Sequence, residues 1–227
     1  MEKGKYQIGI LGGSFDPVHM GHIGLAQEVY NKFNLDKILF VPVFQSPHKS
    51  TTPLASNVHR REMLRLALKE NANFIISDVE LRREELSYTI DTLNYYKFKL
   101  SNSELFLIIG CDNLMGLDSW KESREIMERC HILVASRPIQ ESFSPEHEVL
   151  GFFNGDSPYR LGEIKNGVQK FFHQKTGRRL VVFRIIPRDI SSSRVRGELT
   201  RGKLTKNLLP TEVEAYIIKH KIYQIKF

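Results

Sequence analysis

Apolar positions along this chain fall into two alternating patterns. Short apolar runs at 7–11, 37–43, 74–77, 105–110, 132–136 and 180–185 predict strands, and such runs suit strands covered on both faces. Between them, apolar residues spaced by three and four predict helices over 21–33, 56–70, 89–100, 119–129, 192–201 and 210–220. The alternation predicts an α/β fold: a doubly wound parallel sheet of five to six strands with helices on both faces and a C-terminal helical segment. In such sheets ligands sit beyond the carboxyl ends of the strands, where strand order reverses. Residues that follow a strand or open a helix are therefore the first candidates for chemistry.

The stretch 139–179 breaks the pattern. Gly151, Gly155, Gly162, Gly167 and Gly177, with Pro145 and Pro158, interrupt its periodicity. It reads as a loop-rich excursion from a single domain spanning 1–227, with one helix over 164–173. Such an excursion is a lid, an oligomer contact or a tolerated surface insertion, and it receives no site.

The first strand runs into Gly12-Gly13-Ser14-Phe15-Asp16-Pro17-Val18-His19-Met20-Gly21-His22, a strand-to-helix turn. Glycines permit close backbone approach, and the N–H groups of a helix start favour anions, so the turn is a candidate phosphate site. His19 and His22, three apart, project from one side of the first helical turn. The turn lacks the Gly-Lys-Ser/Thr ending of a Walker loop, and Gly9, Gly12 and Gly13 do not give the dinucleotide spacing. The histidines could instead be ordinary polar residues of a helix start or half of a zinc site. Zinc takes at least three protein ligands, however, and no third stands nearby in sequence.

Four further stretches carry chemistry. In Gln45-Ser46-Pro47-His48-Lys49, Pro47 fixes a turn, and His48 and Lys49 offer cations to a phosphate or a carboxylate, or simply face water. Ser87-Tyr88-Thr89-Ile90-Asp91-Thr92-Leu93 leads into a helix with Thr89 as N-cap, which accounts for Thr89 and Asp91 structurally but not for Tyr88. The strand ending Gly110-Cys111-Asp112-Asn113 places a carboxylate where ribose hydroxyls bind. Beyond it Trp120, the single tryptophan, either stacks on a heterocycle or packs in the core. Finally, Ile190-Ser191-Ser192-Ser193-Arg194-Val195-Arg196 opens a helix and forms a second anion site.

Composition narrows the classes. At 227 residues, 41% hydrophobic and 26% charged, the chain can bury one substantial core, and no run approaches the ~18–20 apolar residues of a membrane span. The expected address is cytoplasmic, with no membrane partner. Cys111 and Cys130 have no paired spacing, so neither a disulfide framework nor a metal cluster is expected, and Cys111 is expected to pack. A formal net charge of +7 asks for an anionic partner. The arginines, including Arg60-Arg61, Arg82-Arg83 and Arg178-Arg179, are dispersed and read mostly as solvated surface, without the aromatic interleaving of a nucleic-acid binder.

The turn resembles the G-x-F-D-P-x-H-x-G-H signature of the nucleotidylyltransferase superfamily. Taken in order with Ser46–Lys49, Ser87–Leu93, Gly110–Trp120, Ser136-Arg137-Pro138, Ile190–Arg196 and the closing Leu209-Pro210, Val213, Tyr216-Ile217, His220 and Tyr223, it is similar to the bacterial nicotinate mononucleotide adenylyltransferase family. The resemblance covers most of the chain except 139–179. Ser193 stands where Thr is frequent, and Cys111-Asp112-Asn113 varies an Ala-Asp-Ser-like run; neither change removes a functional group.

The resemblance implies a Rossmann-like fold and the transfer of AMP from ATP to nicotinate mononucleotide, giving deamido-NAD and pyrophosphate. It places His19, His22 and Arg196 in catalysis. It puts Gly12, Gly13, Ser14, Phe15, Gly110, Asp112, Ser192 and Ser193, with those three, on ATP. It assigns Asp16, His48, Lys49, Tyr88, Thr89, Trp120 and Arg137 to nicotinate mononucleotide. Asp16 could equally be a turn-forming residue before Pro17, or face a hydroxyl or Mg²⁺. Mg²⁺ is expected to arrive with ATP, with no protein ligand of its own. The partners implied are small-molecule substrates, without nucleic acid, and a homo-oligomer stays open. The alternatives are a superfamily member with a nicotinamide mononucleotide or phosphopantetheine acceptor, a cytidylyltransferase, or a non-catalytic nucleotide-binding regulator.

Overall fold

The computed structural model describes residues 5–47, 53–136, 144–203, 205 and 207–223. Its strands are β1 (Tyr6–Gly13), β2 (Lys37–Pro42), β3 (Phe74–Ile76), β4 (Ser103–Gly110), β5 (His131–Ser136), β6 (Tyr159–Lys165), β7 (Val168–His173) and β8 (Arg179–Arg184). Its helices are α1 (Met20–Lys32), α2 (Asn57–Leu68), α3 (Val79–Arg83), α4 (Thr89–Lys99), α5 (Cys111–Leu114), α6 (Ser123–Arg129), α7 (Pro145–Leu150), α8 (Ser192–Thr200) and α9 (Thr211–Lys219). The chain divides into two compact units, one of residues 1–11 and 88–187, the other of 12–87 and 188–227.

In the first unit β1, β4, β5 and β8 pair in parallel, with Ile10 opposite Leu107, Leu107 opposite Ile132 and Val134 opposite Val182. The side chains of 105–109, 132–135 and 180–183 are all buried, which is why these strands read as unbroken apolar runs rather than as alternation. Ile90, Leu93 and Tyr96 of α4 and Ile126 and Met127 of α6 supply buried helix faces. Each such side chain contributes about 1.5–3 kcal/mol by leaving water. Cys111 and Cys130 are both free and buried, and burial pushes the Cys130 thiol up to about 12, so it packs as a small apolar group.

The helix expected over 164–173 is absent. β6 and β7 form an antiparallel hairpin there, and β7 pairs antiparallel with β8. The two-residue turn is Asn166-Gly167, with φ of 50° and 71°. A type I′ turn needs positive φ at both central positions, and Asn-Gly is the pair that adopts it most readily. The hairpin adds two strands to the six read from apolar runs, giving eight among the described residues. A smaller difference lies at 119–129, where Glu122, at φ 53°, separates a 3₁₀ turn at Leu117–Ser119 from α6.

In the second unit β2 pairs with β3 in parallel, Phe40 opposite Ile76. Ala26 and Val29 of α1, Met63, Leu64 and Leu68 of α2, and Val213 and Ile217 of α9 are buried. The fold is thus α/β, with a parallel-dominated sheet flanked by helices, as the alternation predicts. Among the described residues no helix is long and apolar enough to cross a membrane.

Candidate active site

The Gly12–His22 turn lies within the second unit. Phe15 adopts φ 47°, a left-handed conformation that costs a bulky residue about 1–3 kcal/mol. Its ring is 1% exposed and packs edge-on to His22 at 5.0 Å and against Phe40 at 5.7 Å, so burial offsets the strain. The same ring lies across Gly13, where a Cβ would come within 3.1 Å of it. Gly12 faces open space.

His19 is the N-cap of α1 and His22 sits at the third helical position. Their rings stack at 3.7 Å, so the predicted pair projects together. His22 Nδ1 accepts a hydrogen bond from the His19 backbone N–H at 3.2 Å. A neutral His22 therefore carries its proton on Nε2, as a donor. Gly21 makes room for this arrangement: a Cβ there would stand 3.0 Å from the His19 ring.

Four carbonyls of the turn are engaged by other elements of the same unit. Gly13 O accepts from the Val43 N–H at 3.0 Å, and Ser14 O from Arg60 Nη1 at 2.6 Å. Asp16 O accepts from Arg196 Nη1 at 2.6 Å, and Pro17 O from Ser192 Oγ at 3.0 Å. Ser191 caps α8 by accepting from the Arg194 N–H, and Arg196 Nη2 donates to Ser193 Oγ at 3.2 Å. Ser192 and Arg196, expected on a phosphate tail, thus touch the histidine turn, and Ser193 meets it through Arg196.

Asp16 is 4% exposed. Its carboxylate accepts from the N–H groups of Leu54 at 2.9 Å and Ala55 at 3.0 Å and from the Tyr223 hydroxyl at 2.7 Å, with Arg196 Nη1 at 3.7 Å. Expected on nicotinate mononucleotide, at a hydroxyl or Mg²⁺, or as a turn-forming residue, this side chain of the turn accepts from protein donors. Burial and the Asp16 carboxylate push the Tyr223 hydroxyl far above its ordinary range, so it remains a donor.

Sequence reasoning missed Arg60, which reads as surface beside Arg61 yet is fully buried. Besides Ser14 O, its guanidinium donates to Val43 O at 2.7 Å and Asn57 Oδ1 at 2.6 Å. Burial works against its charge and the Asp16 carboxylate supports it. Removing one member of such a buried set typically costs about 3–5 kcal/mol. Asn57, three residues earlier, is an ordinary helix neighbour, and no signal in the sequence marks this burial.

The remaining candidates among the described residues lie in the first unit. Gly110 is the N-cap of the short α5, and Asp112 is exposed in its first turn. Tyr88, rather than Thr89, is the N-cap of α4; Thr89 is its first helical residue. The Tyr88 ring carries Lys121 Nζ 4.6 Å from its centre, and Lys121 also pairs with Asp91 at 3.7 Å. Trp120 is half-buried at the end of the 3₁₀ turn, outside the fully buried core. His48, Lys49 and Arg137 lie outside the described residues.

Residues 10–198 match the model of the cytidylyltransferase-like family, which sets the class of fold and site. The chain is 37% identical over 217 residues to a Dictyoglomus thermophilum protein named "Probable nicotinate-nucleotide adenylyltransferase", covering 96% of this chain and 99% of that one. A Rhodopirellula baltica protein of the same name is 34% identical over 220 residues, covering 96% and 94%. In fold, the chain is similar to a Plasmodium falciparum nicotinic acid mononucleotide adenylyltransferase solved with NaAD, with a TM-score of 0.71, 21% identity and coverage of 96% and 97%. Within the cytidylyltransferase-like class, the chain belongs to the nicotinate-nucleotide adenylyltransferase family.

Proposed function

We propose that this protein transfers AMP from ATP to nicotinate mononucleotide, releasing pyrophosphate and forming deamido-NAD, a step of NAD biosynthesis in the cytoplasm. The observation that carries this reading is the stacked His19–His22 pair, set beside the start of α8 on a turn whose carbonyls are drawn onto protein donors. Turned away, those carbonyls do not oppose a polyphosphate.

The chemistry needs no nucleophilic side chain. An oxygen of the acceptor's 5′-phosphate attacks the α-phosphorus of ATP, a new P–O bond forms, and the bond to the bridging oxygen of pyrophosphate breaks. At pH 7 that phosphate is already anionic, so no general base is required, and catalysis reduces to alignment and charge neutralisation. His22 Nε2–H and His19 donate to the phosphates, with His22 nearest the α-phosphate, where a preorganised donor is worth most. Ser192, Ser193 and Arg196 hold the triphosphate tail, and Gly12, Gly13, Ser14 and Phe15 shape the turn around it. We assign Asp112 and Gly110 to ribose and nucleotide, Tyr88, Thr89 and Trp120 to the pyridine ring, and His48, Lys49 and Arg137 to the acceptor.

Mg²⁺, held by ATP and water, would supply neutralisation of phosphate charge. Among the described residues no group of three or more His, Cys, Asp or Glu could hold a metal.

Pyrophosphate release with Mg-ATP and, in parallel, nicotinate mononucleotide, its amide or phosphopantetheine tests the proposal. Preference for the acid supports it. Turnover with another acceptor alone removes the assignments of Tyr88, Thr89 and Trp120, and silence with all three leaves a nucleotide-binding protein.

A further inference from the structure

Three elements distant in sequence converge on the turn without belonging to the proposed substrate contacts. Arg60 comes from α2, the Leu54–Ala55 amides precede it, and Tyr223 follows α9. Their bonds end on Ser14 and Asp16, the residues on either side of Phe15. Phe15 holds a left-handed φ of 47°, and such a conformation persists only where the surroundings over-determine it. Asp16 in turn presents its carbonyl to Arg196 Nη1, so whatever fixes Asp16 also fixes the guanidinium assigned to the phosphates.

We propose that Arg60 and Tyr223 are positioning residues for AMP transfer, acting through Ser14 and Asp16 to hold His19, His22 and Arg196 in register. The inference rests on the reaction proposed above. Arg60 fixes the turn's carbonyl on one side of Phe15 with a guanidinium fork that also spans Val43 O and Asn57 Oδ1. Tyr223 supplies a neutral donor to Asp16 Oδ1 at 2.7 Å, leaving the carboxylate's charge in place to balance the two arginines. Neither residue is among the assigned substrate contacts, so their loss acts on alignment, which the rate feels more than acceptor binding does.

Tyr223→Phe deletes one hydroxyl and keeps the ring. The expected result is a fall in kcat of about 10- to 100-fold, the scale of an ångström-sized misplacement, with the KM for nicotinate mononucleotide close to that of the unmodified protein and the thermal midpoint lowered by a few degrees while the protein stays folded at the assay temperature. Arg60→Lys keeps the charge but cannot span its carbonyls as a fork, and it should lower kcat in the same way. If Arg60→Lys does not fold, Tyr223→Phe decides alone. A folded Tyr223→Phe protein with unchanged kcat, or one whose kcat falls only in step with lost folded protein, overturns the proposal. An unmodified protein that releases no pyrophosphate with any acceptor sinks the reaction instead. The lock is then judged by calorimetric titration with ATP, where severalfold weaker binding by Tyr223→Phe sustains it and equal binding overturns it.

Discussion

In the Gly12–His22 turn of the second unit, the carbonyls of Gly13, Ser14, Asp16 and Pro17, the Asp16 carboxylate and the two histidine rings all have named protein partners. In the first unit, Tyr88, Thr89 and Trp120 are half-buried and Asp112 is exposed, with Lys121 over the Tyr88 ring and Cys111 Sγ 3.9 Å from Asp112 Oδ1. On the assignments proposed above, the difference follows from what each region would recognise. Charge developing on a phosphate is stabilised best by dipoles already fixed in place, so the turn is built before ATP arrives. A planar ring is recognised through contact area, which the ligand itself completes, so its platform can stay half-exposed.

The contrast breaks first at His22. Replacing His22 with Ala removes one fixed donor and should lower kcat by about 10²–10³-fold with little change in thermal midpoint. A loss confined to KM would mean that the turn binds ATP without acting on the transition state. Acid should act on the other unit through its fold rather than its chemistry. Burial lowers His131 from 6.5 to about 4, and its neutral form suits both partners, with Nδ1 accepting from the Arg179 N–H and Nε2 facing Glu104. Because the folded pKa is depressed below the unfolded one, this stabilisation is complete above about pH 6.5 and lost as pH falls towards 4. Its size is of the order of 1–3 kcal/mol, and denaturant unfolding at pH 7 and pH 4.5 should show it shrink in His131→Gln.

Smaller effects sharpen the comparison. Trp120→Ala should raise the KM for nicotinate mononucleotide about tenfold, the worth of one stacking contact, with kcat nearly intact. Equal loss of stability would return Trp120 to a packing role. Gly21→Ala sets two small terms against each other. It gains up to about 1 kcal/mol of helix propensity but crowds the His19 ring at 3.0 Å. The expected outcome is an unchanged or slightly higher melting temperature with kcat reduced by a few-fold, measurable in one preparation.

What could be read from the sequence was what is local. Leu105 to Ile109 and Ile132 to Ala135 announce central strands by their own side chains, and the spacing of His19 and His22 is enough to place them on one helical turn. The hairpin at Asn166-Gly167 was also local, but its strands are amphipathic and partly exposed, so they lack the unbroken apolar runs that marked the others. Arg60 could not be read at all. Its burial is decided by Ser14 and Val43, which only the folded chain brings to it, and beside Arg61 it carries no sign of that fate. The roles of Asp16 and Tyr223 were hidden for the same reason, since each is the other's partner across 207 positions.

That separation has a consequence for synthesis. A ribosome adding 5–20 residues per second makes Tyr223 roughly 10–40 s after Asp16. For 180 of those 207 positions Arg196 is also still to be made, so the Gly12–His22 turn lacks both its guanidinium and its tyrosine donor. A product truncated before Tyr223 would therefore lack the hydroxyl donor of the Asp16 carboxylate.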